Sequence, residues 1–175
     1  MASQKFADQL NVQIGNEFAA HQQYVACAIH YDALTMPRMA AFFYRQALEE
    51  RDHAMMMVQY LIDADVSVEI PGVEAPTNDF DDIVAPVRLA LDQEKRVTGQ
   101  INELTALARA EHDYASDQFM QWFIKEQVEE VSTMSDLLRV VERSRDDPMA
   151  IEDFMFRELP SAGGDDPTAP KAAGA

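Results

Sequence analysis

The sequence predicts an all-α protein: a four-helix bundle with one long crossover, followed by a short fifth helix near the C-terminal end. Three observations carry that prediction. Gly is scarce, with six in 175 residues, while Ala, Met, Leu, Gln and Glu abound, a composition that favours helices. Four long segments and one shorter segment repeat their apolar residues at helical spacing. Two short turns and one long linker join the four long segments, which sets how they can pack.

The first helix is expected from about Gln4 to Leu34, with Leu10, Ile14, Tyr24, Ala28 and Tyr31 on one stripe. Thr35-Met36-Pro37 breaks it, and Pro37 suits the first turn of a second helix that runs to about Ala64. A third helix is expected after Thr77-Asn78-Asp79, good capping chemistry, with Ile83, Val87, Leu91 and Ile101 on its stripe. The fourth starts near Asp113 and carries Phe123, Met134, Leu137 and Val141. A fifth opens at Asp147-Pro148 and ends before Pro160, with Ile151, Phe154, Met155 and Leu159 on one side.

The turns near Thr35 and His112 are short, so each adjoining pair is antiparallel. The linker "DVSVEIPGVEAPTN" between helices two and three is long. Its ~14 residues reach ~46 Å when extended, against ~42 Å for a helix of ~28 residues. It can therefore run the length of the bundle and leave helices two and three parallel. Its Val66, Val68 and Ile70 argue for a packed connection over a loose loop. Residues 1–160 then form one domain. The tail over 161–175, rich in Gly, Pro and small polar residues, reads as disordered.

The chain has 14 Lys and Arg against 31 Asp and Glu, a formal charge of -17. Nucleic acids and anionic membranes both require a basic surface, so neither is an expected partner. Cation handling suits this balance, although acidity also serves solubility. Cys27 is the single cysteine and excludes an intrachain disulfide; within "YVACAIHY" it reads as a small core hydrophobe. No apolar signal region opens the sequence and no run spans a bilayer, so a cytoplasmic location is the expectation.

Each long helix carries an acid within its apolar row: Glu17, Glu50, Glu94 and Glu130. Glu50 lines up with Phe43, Gln46, Met57 and Leu61, and His53 follows one turn later on the same side. One buried acid could belong to a structural ion pair. Four at similar depth repel one another unless a multivalent cation lies between them. Carboxylates with one imidazole suit iron and similar divalent metals. A bundle holding two such metals needs one Glu from each of two helices and an (i, i+3) ligand pair from each of the others. Glu17 and Glu94 fill the single positions; Glu50/His53 and Gln127/Glu130 fill the pairs.

With those residues in view, the chain resembles a bacterial non-haem ferritin of the actinobacterial kind over residues 5 to about 158. The matching stretches are "NEFAAHQQY", "QALEERDHA", "DQEKRVTGQI" and "QWFIKEQVEEV". The resemblance implies a first iron position at Glu17, Glu50 and His53. It implies a second at Glu50, Glu94 and Glu130, with Gln127 beside them. It further implies ferrous iron oxidised there by dioxygen or peroxide, ferric mineral held in a hollow shell of 24 subunits, and helix five at the four-fold axes.

Glu49, Glu126 and Glu129 flank the stripe away from the bundle axis. A solvated acidic face is the usual fate of such residues; in ferritins of this type they resemble a third iron position. Tyr24 and Trp122 suit packing, and by resemblance are electron donors beside the diiron site. Haem is not expected. A haem-binding relative would carry Met directly after the first bridging Glu, where Arg51 stands, and would repeat ExxH on helix four, where Gln127-Val-Glu-Glu130 stands. Two other functions use similar bundles. A diiron oxidase or peroxidase needs no closing fifth helix. A small DNA-protecting shell protein places its ligands between subunits and would be less acidic.

Overall fold

The computed structural model describes residues 2–158 and 166–174. Five helices follow in order: α1 (Gln4–Ala33), α2 (Pro37–Asp63), α3 (Ala85–Ala110), α4 (Tyr114–Arg143) and α5 (Pro148–Glu158). Leu159, Pro160 and the first part of the expected tail lie outside the described residues.

Helix starts follow local chemistry. Ser3 caps α1 by accepting the Phe6 N–H, and Asp113 caps α4 by accepting the Ser116 N–H. The N-cap of α2, Met36, has no capping side chain. Glu152 of α5 supplies one instead, accepting the N–H groups of Arg38 and Met39 at 2.9 and 3.0 Å. This places a carboxylate against the positive end of the α2 dipole. The start of α3 differs from the sequence expectation. Residues 77–84 remain irregular, and Asp82, not Asp79, accepts the Val84 and Ala85 N–H groups. Pro86 then occupies the first turn.

Three helices stop in the same way. Thr35, Asp65 and His112 adopt left-handed φ values of 58°, 56° and 55°. The next N–H in each case reaches back five residues: Met36 to Tyr31, Val66 to Leu61, Asp113 to Ala108. These are Schellman closures made without glycine.

The crossover is tied to α1 along nearly its whole length. Asn11 bonds the Ser67 carbonyl and the Glu69 N–H. Gly15 faces Pro71 so closely that a Cβ there would lie 2.6 Å from the proline Cγ. Gln23 exchanges two hydrogen bonds with the backbone of Thr77, and Tyr31 donates to the Ile83 carbonyl. The linker thus climbs α1 from Asn11 to Tyr31, about 30 Å at helical rise. It delivers α3 to the end of the bundle where α2 begins, so α2 and α3 run parallel. Val66 and Val68 pack inward as expected, but Ile70 is 62% exposed.

The core has two apolar halves. One gathers Tyr31, Phe43, Val87, Leu137 and Ile151; the other gathers Phe6, Leu61, Ile101, Met120 and Phe123. α5 buries Ile151 and Met155 on its own bundle and leaves Met149 and Phe156 exposed. Arg38 lies 4.3 Å above the Phe156 ring. Where composition predicts a disordered tail, residues 166–174 instead lie against α2 and α4. Asp166 accepts the Trp122 indole N–H at 3.1 Å, and the Ala173 N–H donates to the Met55 carbonyl at 3.0 Å. Among the described residues, no helix is long and apolar enough to cross a membrane.

Candidate metal centre

Between the two apolar halves lies a layer of acids. Glu17, Glu50 and Glu94 are each 1% exposed and Glu130 is 5% exposed. They come from four different helices, so the bundle itself brings them together. Their place in the apolar rows explains the burial: each helix turns its stripe to the axis and carries its acid with it. Among the described residues, His53 is the one basic side chain paired with any of them, its Nδ1 3.3 Å from Glu50 Oε2.

Electrostatics in this layer are unfavourable without a cation. Burial, then the charges of Glu94 and Glu17, push the Glu50 carboxyl well above the usual range. Burial and then the charges of Glu94 and Glu50 do the same to Glu130. Burial also raises Glu94, opposed by the hydrogen bond it accepts from Tyr24. The Tyr24 phenol is raised in turn by its own burial and by Glu94. Glu17 Oε2 is buried with no hydrogen-bond partner, an expensive omission for an anionic oxygen. Glu17, Glu50 and His53 each offer an atom within 4.8 Å of the others, a group able to hold a metal ion.

Supporting amides surround the acids. Gln127 donates to Glu94 Oε2 at 3.4 Å, while its own carbonyl accepts from Thr98 at 2.8 Å. Gln46 donates to Glu130 at 3.3 Å and to Glu49 at 2.7 Å. Gln13 donates to Glu17 at 2.8 Å and is itself held by Asn16. Gln13 and Gln46 escape a reading based on ligands alone. The available signal is their position, one helical turn before an in-stripe acid.

A second group opens outward from the first. Glu49, His53 and Glu126 also offer atoms within 4.8 Å of one another. Glu49 and Glu126 border a groove of about 200 Å³ that Arg45, Glu129 and Thr133 also line. Burial raises the Glu126 carboxyl, opposed by His53. Glu129 is not part of this close group; its side chain is 62% exposed and lies 3.7 Å from Lys125. His53 completes the close group, while Glu129 lines the same groove as Glu49 and Glu126. Trp122 stands edge-on to His53, centroids 5.6 Å apart. His21 is half-buried and hydrogen-bonded, its Nδ1 2.6 Å from the Ala47 carbonyl.

Comparison with known proteins agrees with this architecture. The ferritin-like domain family matches residues 7–144. The chain is 53% identical to ferritin BfrB of Mycolicibacterium smegmatis over 170 residues, covering 97% of this chain and 93% of the relative. It is 35% identical to the bacterial non-heme ferritin of Staphylococcus aureus over 151 residues, 86% of this chain and 91% of that one. An open-pore ferritin of the archaeon Archaeoglobus fulgidus superposes with a TM-score of 0.85 at 28% identity, covering 89% of this chain and 96% of that one. Two parallel-joined helical hairpins, a buried layer of four carboxylates and these likenesses lead to one conclusion: the chain belongs to the ferritin family of iron-storage proteins.

Proposed function

We propose that the buried layer is a ferroxidase centre, where two ferrous ions bind and are oxidised before storage as ferric mineral. The observation that carries this reading is the set of four mutually repelling acids with an unpartnered Glu17 oxygen and one imidazole. In this reading Glu17 and His53 hold one iron, Glu94 and Glu130 the other, and Glu50 bridges them. Gln127 orients Glu94. Iron is the substrate, with dioxygen or peroxide as oxidant; the chain's own work is to fix the ligands, exclude bulk water and neutralise charge. Tyr24, bonded to Glu94, and Trp122, against His53, are the electron donors of the centre. Glu49 and Glu126, with Glu129 at the rim, form an iron position through which the centre fills or empties.

The domain of residues 1–160 assembles into a 24-subunit shell without haem, and works in the cytoplasm. Exposed Val12, Ile29, Leu48, Tyr114 and Val128 are apolar surface that such contacts would cover. The test is direct. Purified protein mixed with ferrous iron in air should oxidise it far faster than buffer alone and retain it in a particle of about 24 subunit masses; a monomeric species that leaves iron in solution refutes the reading. Truncation after Glu158 should preserve the particle. Truncation after Arg145 removes the Glu152 cap and the buried Ile151 and Met155, and should leave a helical but weaker shell, read by mass and thermal midpoint.

A further inference from the structure

Aromatic rings continue from the centre in an unbroken series along α4 and across to α2. Trp122 meets Phe123 edge-on at 5.0 Å between centroids, and Phe123 meets Phe119 at 5.2 Å. Phe119 stacks on Tyr60 at 4.1 Å with the rings 14° from parallel. The series ends in a chain of hydroxyl groups. Tyr60 Oη lies 2.8 Å from Ser116 Oγ, and the Ser116 hydroxyl donates to Asp113 Oδ2 at 2.6 Å. Since Ser116 gives its proton to the carboxylate, Tyr60 is the donor in the first bond.

Packing accounts for the rings, since this end of the bundle is apolar core. Capping of α4 accounts for Asp113 and Ser116. It does not require Tyr60, because Asp113 already accepts the Ser116 N–H at 3.1 Å and the Ser3 N–H at 2.9 Å. The connection that neither role needs is a phenol donating into a buried serine that donates into a carboxylate. Burial pushes the Tyr60 phenol above its ordinary value, so it holds its proton near neutral pH. Ser116 is wholly buried and Asp113 nearly so, while Tyr60 is only partly covered.

We propose that Tyr60 is an electron donor in reserve: it reduces oxidised Trp122, passing its phenol proton to Ser116 as Ser116 passes its own to Asp113. This rests on the reading of Trp122 as an electron donor to dioxygen or peroxide at the centre. The step balances within the protein. Trp122, a radical cation that keeps its indole N–H on Asp166, regains the one electron it gave to that oxidant, and Tyr60 becomes a neutral phenoxyl radical. One proton arrives on the Asp113 carboxylate, and no bond between heavy atoms forms or breaks. The oxidising equivalent leaves the neighbourhood of the iron ligands for a side chain that solution reductants can reach.

The experiment uses the iron-free full-length protein, so that its outcome is independent of ferroxidase activity. A photogenerated ruthenium(III) polypyridyl complex oxidises Trp122, the single tryptophan, and transient absorption follows the indole and phenoxyl radicals. In the wild type the indole signal should decay as a phenoxyl signal grows, more slowly in deuterium oxide. Tyr60→Phe keeps the ring on Phe119 and should lengthen the indole radical's life at least about tenfold. Ser116→Ala leaves Tyr60 in place but removes the proton acceptor, and should slow the same decay; it serves alone if Tyr60→Phe does not fold. Equal indole lifetimes in the wild type and the folded variants overturn the proposal. Failure here leaves the ferroxidase reading standing; failure to oxidise ferrous iron removes the oxidant that Trp122 would serve, yet leaves the measured transfer from Tyr60 to Trp122 intact.

Discussion

His53 belongs to two acid groups that differ mainly in burial. Towards the axis it meets Glu17 and Glu50, both sealed from solvent. Away from the axis it meets Glu49, which is exposed, and Glu126, which is half-buried. The same kinds of atoms lie within the same 4.8 Å in both. Water makes the difference. Outside, solvent screens the acids and a cation gains little by replacing it. Inside, burial and then the charges of Glu94 and Glu17 raise the Glu50 pKa, and a divalent cation removes a large penalty. In the proposed function, the inner group holds iron and the outer one passes it along.

The largest effect that would break this contrast is at Glu50. Glu50→Ala should lower initial ferrous oxidation by more than the roughly 100-fold that loss of an outer-shell partner costs, with particle mass unchanged. Near wild-type stopped-flow rates would remove Glu50 from the bridging position. Glu49→Gln with Glu126→Gln should act more gently. Zinc titration should lose one weak site and keep the tight ones, while the first turnover stays within about threefold of wild type and later turnovers slow. Loss of the tight sites instead would mean that the two groups are one.

The contrast also has a pH signature. Glu50, Glu94 and Glu130 have folded-state pKa values above the ordinary 4.5. From that value upward, the folded metal-free protein binds more protons than the unfolded chain, so its stability falls as pH rises through the window. Asp82 and Asp113 are held below 3.8, chiefly by hydrogen bonds from neighbouring N–H and hydroxyl groups acting against burial, and their support is lost as pH falls. Thermal midpoints of the metal-free protein should therefore peak at mildly acidic pH. Saturating zinc should remove the decline towards neutral pH; a decline that survives zinc would place its origin outside the inner group.

The smallest expected effect lies far from both groups. His112 holds a left-handed φ of 55° at the close of α3. His112→Gly should raise stability by up to about 1 kcal/mol without changing iron oxidation. A change in oxidation there would show that the ends of the bundle are coupled to its middle.

The bundle and its four inner acids were legible because both signals are periodic. An apolar row names the face that is buried, and an acid inside that row is buried with it. What escaped the sequence depends on contacts between elements. The start of α3 is set by Asp82 and Pro86, and the earlier Thr77-Asn78-Asp79 offers equally good capping chemistry in a stretch the crossover holds extended. Gln13 and Gln46 become supports only when the helices fix their register. Glu129 matches an acidic pattern, yet in the fold it lies beside Lys125 one turn away. The tail's composition gives it little to bury, but over residues 166–174 a carboxylate meets Trp122 and a backbone N–H meets the Met55 carbonyl, contacts that composition does not announce.

The acid layer that divides the core has a consequence for the life of the protein in a cell. Whatever binds only the folded state adds RT ln(1 + [L]/Kd) to its stability, about 2.7 kcal/mol at one hundred times Kd. If the inner group binds iron as proposed, iron would do this in every subunit. Scarce iron would then leave empty subunits that open more often, and opened chains are the ones that proteases remove. On the proposed function, supply of the cargo would set how long its holder lasts, with no sensor beyond four carboxylates crowded into one buried layer.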